Sequence, residues 1–231
     1  MITVHHLETS RSQRILWLLE ELGVPYELQV YKRDPVTRLA PPALKKIHPL
    51  GKSPVITDGD LVVAESGAII EYLVETYGQV SASDLQHLNP ERGSPAHFQN
   101  RFWMHYAEGS LMNWLVMKLV FATIPTRPMP FFVKPIARAI CDNVQTQLID
   151  PNLAKALAFM ETHLSQNLWF TGEHLAMADF QMSFAVEAVL LRGNAAGACP
   201  HVVAYKDRIN ARPAYQRAIA QGGPVLMAPK A

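Results

Sequence analysis

The chain has 231 residues, of which 49% are apolar and 18% are charged, and its formal net charge is +1. This composition excludes disordered and fibrous chains and predicts one or two globular domains. A net charge near zero supplies no long-range attraction to nucleic acid or to an anionic membrane, so we expect a small molecule or another protein as partner. The two cysteines, Cys141 and Cys199, are far apart, which predicts no disulfide framework and no cysteine metal site, and favours a reducing compartment.

No targeting or transmembrane segment is expected. The first ten residues, MITVHHLETS, have neither the basic start nor the apolar centre of a secretory signal. The longest apolar stretch, 111–124, contains Asn113 and Lys118 and is shorter than the roughly 20 residues needed to cross a bilayer. We therefore interpret it as a helix that is buried or lines a site.

Strand and helix signals alternate over residues 1–78. Val- and Ile-rich runs predict strands, apolar residues spaced three or four apart predict helices, and Asp58-Gly59 is typical of a hairpin turn. The resulting βαβ-ββα order predicts a small mixed sheet, in which a parallel pair is extended by an antiparallel hairpin. The predicted elements are a strand at 2–7, a helix ending at Gly23, strands at 26–31, 54–57 and 61–63, and a helix that begins at Ser66.

The second half of the chain is predicted to be all-helical. Residues 79–94 are polar and rich in turn formers, which indicates a linker between a first domain at 1–78 and a second at 95–231. A long helix should begin near Phe98 and stop before the prolines between 125 and 135. Asp150-Pro151 is typical of a helix start, with Asp150 as N-cap.

Three polar stretches of the first domain are expected to meet at one edge of the sheet, where open α/β sheets bind ligands. They are residues 9–14 after the first strand, 48–54 before the third strand, and Glu65-Ser66 at the start of the second helix. Each also has a purely structural interpretation. Ser10 and Gln13 form an S-x-x-Q capping box, which would only stabilise the first helix.

The other two stretches are equally open. Ser66 is a plausible N-cap, but helical N–H groups, a hydroxyl and the carboxylate of Glu65 together also suit an amino-acid zwitterion. Pro54 suits the first residue of an edge strand. If its peptide bond is cis, the backbone of Ser53 would turn outward and pair with an extended peptide.

Taken together, in this order and spacing, these motifs resemble the cytosolic glutathione transferase superfamily, most closely a serine-type group of bacteria and fungi. The similarity covers nearly the whole chain, and the segment from His48 to Leu73 is its most specific part. It implies a thioredoxin-like N-terminal domain that binds glutathione as co-substrate and a helical-bundle C-terminal domain that forms the second-substrate pocket. The matching segments are SRSQRILWLLEELGVPYE, HPLGKSPVITDGDLVVAESGAIIEYL, GEHLAMADF and INARPAYQRAIA.

The resemblance implies a role for each polar residue. Glu65 and Ser66 would bind the γ-glutamyl end of glutathione, Ser53 its cysteinyl backbone before a cis Pro54, and Lys52 its glycine carboxylate. Ser10 matches the hydroxyl residue that faces the thiol. Alternatives for that role are Thr9 and Ser12, and the positive charge of Arg11 could also stabilise the thiolate. Candidates for the second-substrate pocket are Tyr106, Met112 and Trp114.

One serine can supply the required energy. A thiol with a pKa of about 8.5 is only about 3% thiolate at pH 7, and lowering that pKa by two units takes about 2.7 kcal/mol. A hydrogen bond to a charged group supplies about 1.5 to 3 kcal/mol, and a helix N-terminus about 0.3 to 1 more. No general base is needed.

The resemblance implies attack of the glutathione thiolate on a small hydrophobic electrophile, with peroxide reduction as a further activity. Two alternatives stay open, namely a glutathione-dependent disulfide reductase and a scaffold module that binds glutathione without turnover. A cytoplasmic homodimer without a metal is expected. One segment departs from the family pattern, because Ala176 stands where Ser or Thr usually caps a helix, which should cost about 1 kcal/mol.

Overall fold

A computed structural model describes residues 1–78, 86–192 and 199–226. Within them a four-stranded sheet has the strand order β2-β1-β3-β4. β1 and β2 are parallel, whereas β3 is antiparallel to both β1 and β4, which confirms the predicted mixed sheet. The strands are β1 (Ile2–Leu7), β2 (Tyr26–Tyr31), β3 (Val55–Asp58) and β4 (Leu61–Ala64).

Two helices accompany this sheet, α1 (Gln13–Leu22) and α2 (Ser66–Tyr77). α1 forms because its apolar stripe is buried against the sheet, and it ends where Gly23 adopts a left-handed φ of 65°. In α2 the buried residues Ile69, Ile70 and Leu73 form the corresponding face. The first domain therefore places the starts of both helices near the ends of the central strands.

The described residues from 95 onward contain helices but no strand, apart from an isolated bridge between Trp169 and Gly172. Ser94 caps the first of them by accepting the N–H of His97 at 3.1 Å. No helix in the described ranges is long and apolar enough to cross a membrane. These helices are α3 (Pro95–Tyr106), α4 (Met112–Thr123), α5 (Lys134–Val144), α6 (Asp150–Leu164), α7 (Met177–Arg192), α8 (Pro200–Asn210) and α9 (Pro213–Gly222).

α6 begins at Asp150, as predicted, with Pro151 in its first turn, but the predicted N-cap role of Asp150 is wrong. A π turn at Gln145–Ile149 joins α5 to α6, and Asp150 has a helical backbone with φ −64° and ψ −39°. A wider turn directly before a proline accommodates its missing N–H, so the helix continues. The carboxylate of Asp150 forms a salt bridge with Lys118 instead of capping. Of the predicted linker, residues 79–85 lie outside the described residues.

α1 packs against α7 and α9 of the helical half. The ring of Trp17 lies 4.3 Å from that of Phe180 and contacts Tyr215 edge-on at 5.5 Å. Gly222 approaches α1 so closely that a Cβ there would lie 2.3 Å from the Gln13 amide oxygen. The start of α1, with residues 9–14, is thus enclosed by both halves of the chain.

Candidate active site

The three polar stretches meet around one cavity of about 160 Å³ at the edge of the sheet. The Ser53-Pro54 peptide bond is cis, as the resemblance implied. All five residues predicted to bind glutathione line this cavity, namely Lys52, Ser53, Pro54, Glu65 and Ser66. It is further lined by Arg11, His48 and Glu108.

The side chain of Ser53 fastens its loop to the sheet. Its hydroxyl donates to the His5 carbonyl oxygen at 2.8 Å and accepts the Leu7 N–H at 3.2 Å. The backbone N–H and C=O of Ser53 have no hydrogen-bond partner within the described part of the chain. That backbone can therefore pair with an extended peptide in the cavity.

The start of α2 combines a carboxylate with free N–H groups. Glu65 has a φ of 72°, which residues other than glycine rarely adopt and which costs on the order of 1–3 kcal/mol. This conformation places an exposed carboxylate immediately before the buried Ser66. The first N–H groups of a helix have no carbonyl partner within it, so this position attracts an anion beside the carboxylate.

Ser10 stands at the end of a chain of hydrogen bonds. The Ser10 and Ser12 hydroxyl oxygens are 2.8 Å apart, and Ser12 Oγ lies 2.8 Å from His6 Nδ1. His6 Nε2 lies 2.9 Å from the carbonyl oxygen of Gly222, which can only accept, so Nε2 carries a proton. Burial lowers the pKa of His6, so its ring is neutral and Nδ1 accepts.

These assignments determine which group donates in each hydrogen bond from Ser10 to His6. Ser12 donates to His6, and Ser10 therefore donates to Ser12, while Ser10 Oγ accepts the Ser12 N–H at 3.2 Å. Ser12 is fully buried, whereas Ser10 lies in the wall of a second cavity. Of the two serines, only Ser10 has access to a ligand.

The capping-box interpretation of Ser10 is wrong. Gln13 donates its amide N–H to the Ala218 carbonyl oxygen at 2.8 Å and so turns away from Ser10. α1 begins at Gln13, and the preceding Ser12 makes no side-chain cap. The reason is tertiary, because α9 packs beside α1 and offers an acceptor that the local sequence does not reveal.

The second cavity, of about 520 Å³, adjoins the first, because Arg11 and Ser53 line both. The predicted Met112 lines it, but Tyr106 and Trp114 do not. Met112, Val116, Leu119 and Thr123 follow one another at spacings of three or four, which form one face of α4. Trp114 is two residues out of phase, and Tyr106 packs instead against Trp103 at 5.2 Å.

The other predicted alternatives occupy different positions. Thr9 lines the second cavity and has a φ of 48°. Arg11 is not free in solvent, since its Nε lies 3.2 Å from the carboxylate of Glu108. Thr9, Ser10 and Arg11 thus all line the second cavity, and Arg11 also lines the first.

Comparison with known proteins supplies the family. The family model for the glutathione S-transferase N-terminal domain matches residues 1–75, and that for the C-terminal domain matches residues 132–213. Glutathione S-transferase 3 of Schizosaccharomyces pombe is 38% identical over 81% of this chain and 74% of that protein. The chain belongs to the cytosolic glutathione S-transferase superfamily. The expected superfamily, fold class and enzyme class are thereby confirmed.

Two further proteins similar to this glutathione transferase support the same family assignment. Glutathione S-transferase 1 of Saccharomyces cerevisiae is 33% identical over 85% of this chain and 84% of that protein. A solved glutathione S-transferase from Actinobacillus pleuropneumoniae is 32% identical, covers 96% of this chain and 93% of its own, and has a TM-score of 0.77. The serine-type subgroup stays a prediction.

The sequence did not reveal a buried cation in this glutathione transferase. Arg14 is fully buried and donates to the Gln181 side chain at 2.6 Å and to Glu108 at 3.1 Å, with Ser66 Oγ at 3.5 Å. Burial lowers its pKa to about 10, so it stays charged at neutral pH. Its Nε and Nη2 have no partner among the described residues. A buried positive charge beside Ser66 at the start of α2 favours a carboxylate at that position.

Signals for the missed residues exist in the sequence. Arg14 lies four residues before Leu18 and so falls on the apolar stripe of α1, where a charged residue is unexpected. His6 alternates with Ile2 and Val4 and therefore shares their buried face of β1. A titratable group at a buried position marks a candidate functional residue.

Proposed function

We propose that this glutathione transferase uses the Ser10 hydroxyl to stabilise the glutathione thiolate for attack on hydrophobic electrophiles. The observation that supports this most is the position of Ser10 in the wall of the second cavity, next to Arg11, which lines both cavities. One is lined by groups that suit a peptide with charged ends, and the other by an apolar helix face. A thiol placed between them meets its electrophile beside Ser10.

Different residues of the first cavity suit the three parts of the glutathione tripeptide. The γ-glutamyl end lies at the start of α2, where Ser66 and the buried Arg14 suit its carboxylate and Glu65 suits its ammonium. The unpaired backbone of Ser53 takes the cysteinyl residue. The exposed Lys52 takes the glycine carboxylate.

Ser10 can serve the sulfur without losing its own support. Its oxygen retains the N–H of Ser12 as a donor, so its hydrogen can turn from Ser12 Oγ toward the sulfur. A hydrogen bond of this kind to a charged group contributes about 1.5 to 3 kcal/mol, which lowers a thiol pKa by about one to two units. The neutral His6 cannot act as an acid toward Ser12 in this arrangement.

The proposal also includes the domain bounds, the oligomeric state, the cellular location and the substrate classes. The N-terminal domain spans residues 1–78 and the helical domain 95–231, joined by a linker at 79–94. We also propose a cytoplasmic homodimer whose second substrate is a small electrophile, in keeping with its superfamily. Peroxides are a further substrate class for the same thiolate.

The test is titration of the bound glutathione thiol by its ultraviolet absorbance, alongside conjugation of 1-chloro-2,4-dinitrobenzene. The wild type should ionise the thiol well below its pKa in free solution. Ser10→Ala should raise that pKa and lower kcat/KM by about 10- to 150-fold, the equivalent of 1.5 to 3 kcal/mol, whereas Ser10→Thr keeps a hydroxyl and should lose less.

Three outcomes would contradict the proposal in different ways. If bound glutathione ionises no more readily than free glutathione, the thiolate mechanism fails. If Ser10→Ala keeps full activity, another group faces the sulfur, and Thr9→Ala and Arg11→Gln identify it. If glutathione binds but conjugation, peroxide reduction and disulfide reduction all stay at background, the chain is a binding module.

A further inference from the structure

The second cavity is charged on one side. Four arginines line it, and its described lining contains no Asp or Glu. The apolar part of the lining comes from α4, Phe184 and Leu226, and the hydroxyl residues Thr9, Ser10, Ser53 and Thr123 complete it. The arginines are Arg11, Arg33, Arg38 and Arg127.

Only one of these charges has a carboxylate partner. Arg11 is paired with Glu108 at 3.2 Å. Arg33, Arg38 and Arg127 form no salt bridge with the described residues. Three guanidinium groups thus line the cavity without a salt bridge to a described carboxylate, although Arg33 lies near enough to Glu8 to feel its charge.

Arg33 is held in place by carbonyl groups. Its guanidinium donates to the carbonyl oxygens of Glu8, Thr9 and Arg38 at 3.2, 3.3 and 3.0 Å. Carbonyl oxygens fix the orientation of a guanidinium but leave its net charge in place. The carboxylate of Glu8 accepts the backbone N–H of Arg33 at 2.9 Å and does not line the cavity.

The neighbouring charges repel one another. Burial and, less strongly, the charge of Arg38 lower the pKa of Arg33, and the carboxylate of Glu8 opposes this only in part. Like charges held together in a partly buried cavity are unfavourable until an anion enters. Because Arg33 bonds to the carbonyl of Thr9, next to Ser10, the charged side lies close to the expected position of the sulfur.

We propose that the second substrate of this enzyme is an anionic electrophile, with an apolar body against α4 and a carboxylate against Arg33, Arg38 and Arg127. This inference rests on the proposed function for the reaction, but the preference of the cavity for an anion can be measured separately. A volume of about 520 Å³ lies within the roughly 300–1,000 Å³ of small-molecule sites.

The test compares 4-chloro-3,5-dinitrobenzoate with its uncharged amide, 4-chloro-3,5-dinitrobenzamide. In both, the sulfur forms a bond to the ring carbon that carries chlorine, chloride leaves, and the thiol proton passes to solvent. Each enzymatic kcat/KM is divided by the uncatalysed rate constant with glutathione for the same compound. This quotient should be at least about tenfold larger for the benzoate, since 1.4 kcal/mol of preferential binding corresponds to tenfold.

The variants are Arg38→Gln, Arg127→Gln and both together. Arg33 is left in place because its removal would free three carbonyl groups. The double variant should lower the ratio of the benzoate to the amide quotient by about 2- to 30-fold, since exposed ion pairs contribute about 0.2 to 1 kcal/mol each. Added salt should lower the ratio in the wild type for the same reason. The matched control is Arg92→Gln, an exposed arginine outside the cavity, which should leave the ratio unchanged.

A ratio near one in the wild type overturns the inference, as does a ratio that falls equally in the Arg92→Gln control. If neither compound is turned over while glutathione binds, the proposed function has failed and calorimetry decides the inference alone. The unreactive 3,5-dinitrobenzoate should then still bind at least about tenfold more tightly than 3,5-dinitrobenzamide. Equal affinities would refute the preference for an anion.

Discussion

Replacement of Ser12 by alanine separates the two serines that the sequence left as alternatives. Ser12 Oγ contacts Ser10 Oγ at 2.8 Å, His6 Nδ1 at 2.8 Å and the Leu7 carbonyl oxygen at 3.3 Å. Its removal leaves the buried Nδ1 of His6 without a donor. It also leaves the hydrogen of Ser10 free to turn toward the second cavity.

The expected magnitude follows from these contacts. A buried polar atom that loses its partner costs about 1–3 kcal/mol. For a chain of this length, each 1 kcal/mol shifts Tm by about 2–4 °C, so Ser12→Ala should melt about 2–12 °C below the wild type. Its kcat/KM for 1-chloro-2,4-dinitrobenzene should stay within about threefold of wild type, since under 0.7 kcal/mol of the stabilisation by Ser10 is at stake.

The matched control is Ser183→Ala. Ser183 is also buried, but its hydroxyl donates to the Phe180 carbonyl oxygen of its own helix at 2.7 Å and supports no second side chain. It should therefore lose less stability than Ser12→Ala. The reasoning is refuted if folded Ser12→Ala loses as much activity as Ser10→Ala, because Ser12 would then be the residue that serves the sulfur.

Two further substitutions test the helical half. Ala176→Ser should raise Tm by about 2–4 °C, because Asp179 already accepts the Ala176 N–H at 2.9 Å and a serine hydroxyl would complete the cap for about 1 kcal/mol; an unchanged or lower Tm would place the cap elsewhere. Burial lowers the pKa of His163, so the unfolded chain takes up a proton below about pH 6.5 before the folded chain does, and stability is lost as the pH falls. In urea unfolding, the advantage of the wild type over His163→Gln should shrink between about pH 7.5 and pH 5, and a constant difference would contradict this.

The secondary structure of the first domain could be predicted because its signals are local. β1 and β2 have the predicted bounds, since β-branched and aromatic residues, such as Ile2 and Val4 in β1 and Tyr26 and Val30 in β2, favour strands. At Asp150-Pro151 the local signals gave the start of α6 but not the role of Asp150. A π turn precedes Asp150, and its carboxylate pairs with Lys118 of α4, a contact that the local sequence does not reveal.

The residues of the candidate site also differ in whether local sequence signals could reveal them. Residues 52–54 and 65–66 could be found because their place at the sheet edge follows from the order of the strands. Arg14 was missed because its partners Glu108 and Gln181 lie 94 and 167 residues away. Gln13 was misread for the same reason, since its acceptor Ala218 is 205 residues away.

These distant contacts also explain how the two halves of the chain are coupled at the site. A buried guanidinium without partners would cost several kcal/mol. Arg14 obtains its partners only when α7, which carries Gln181, and a second π turn at Ala107–Leu111, which carries Glu108, pack beside α1. Glu108 pairs at the same time with Arg11, which lines both cavities. Packing of the helical half therefore brings Glu108 to the first cavity, where it holds Arg11 in place and offsets its charge. The first domain alone would lack both Glu108 and Gln181 as acceptors for Arg14, so this arrangement of the site requires both halves of the chain.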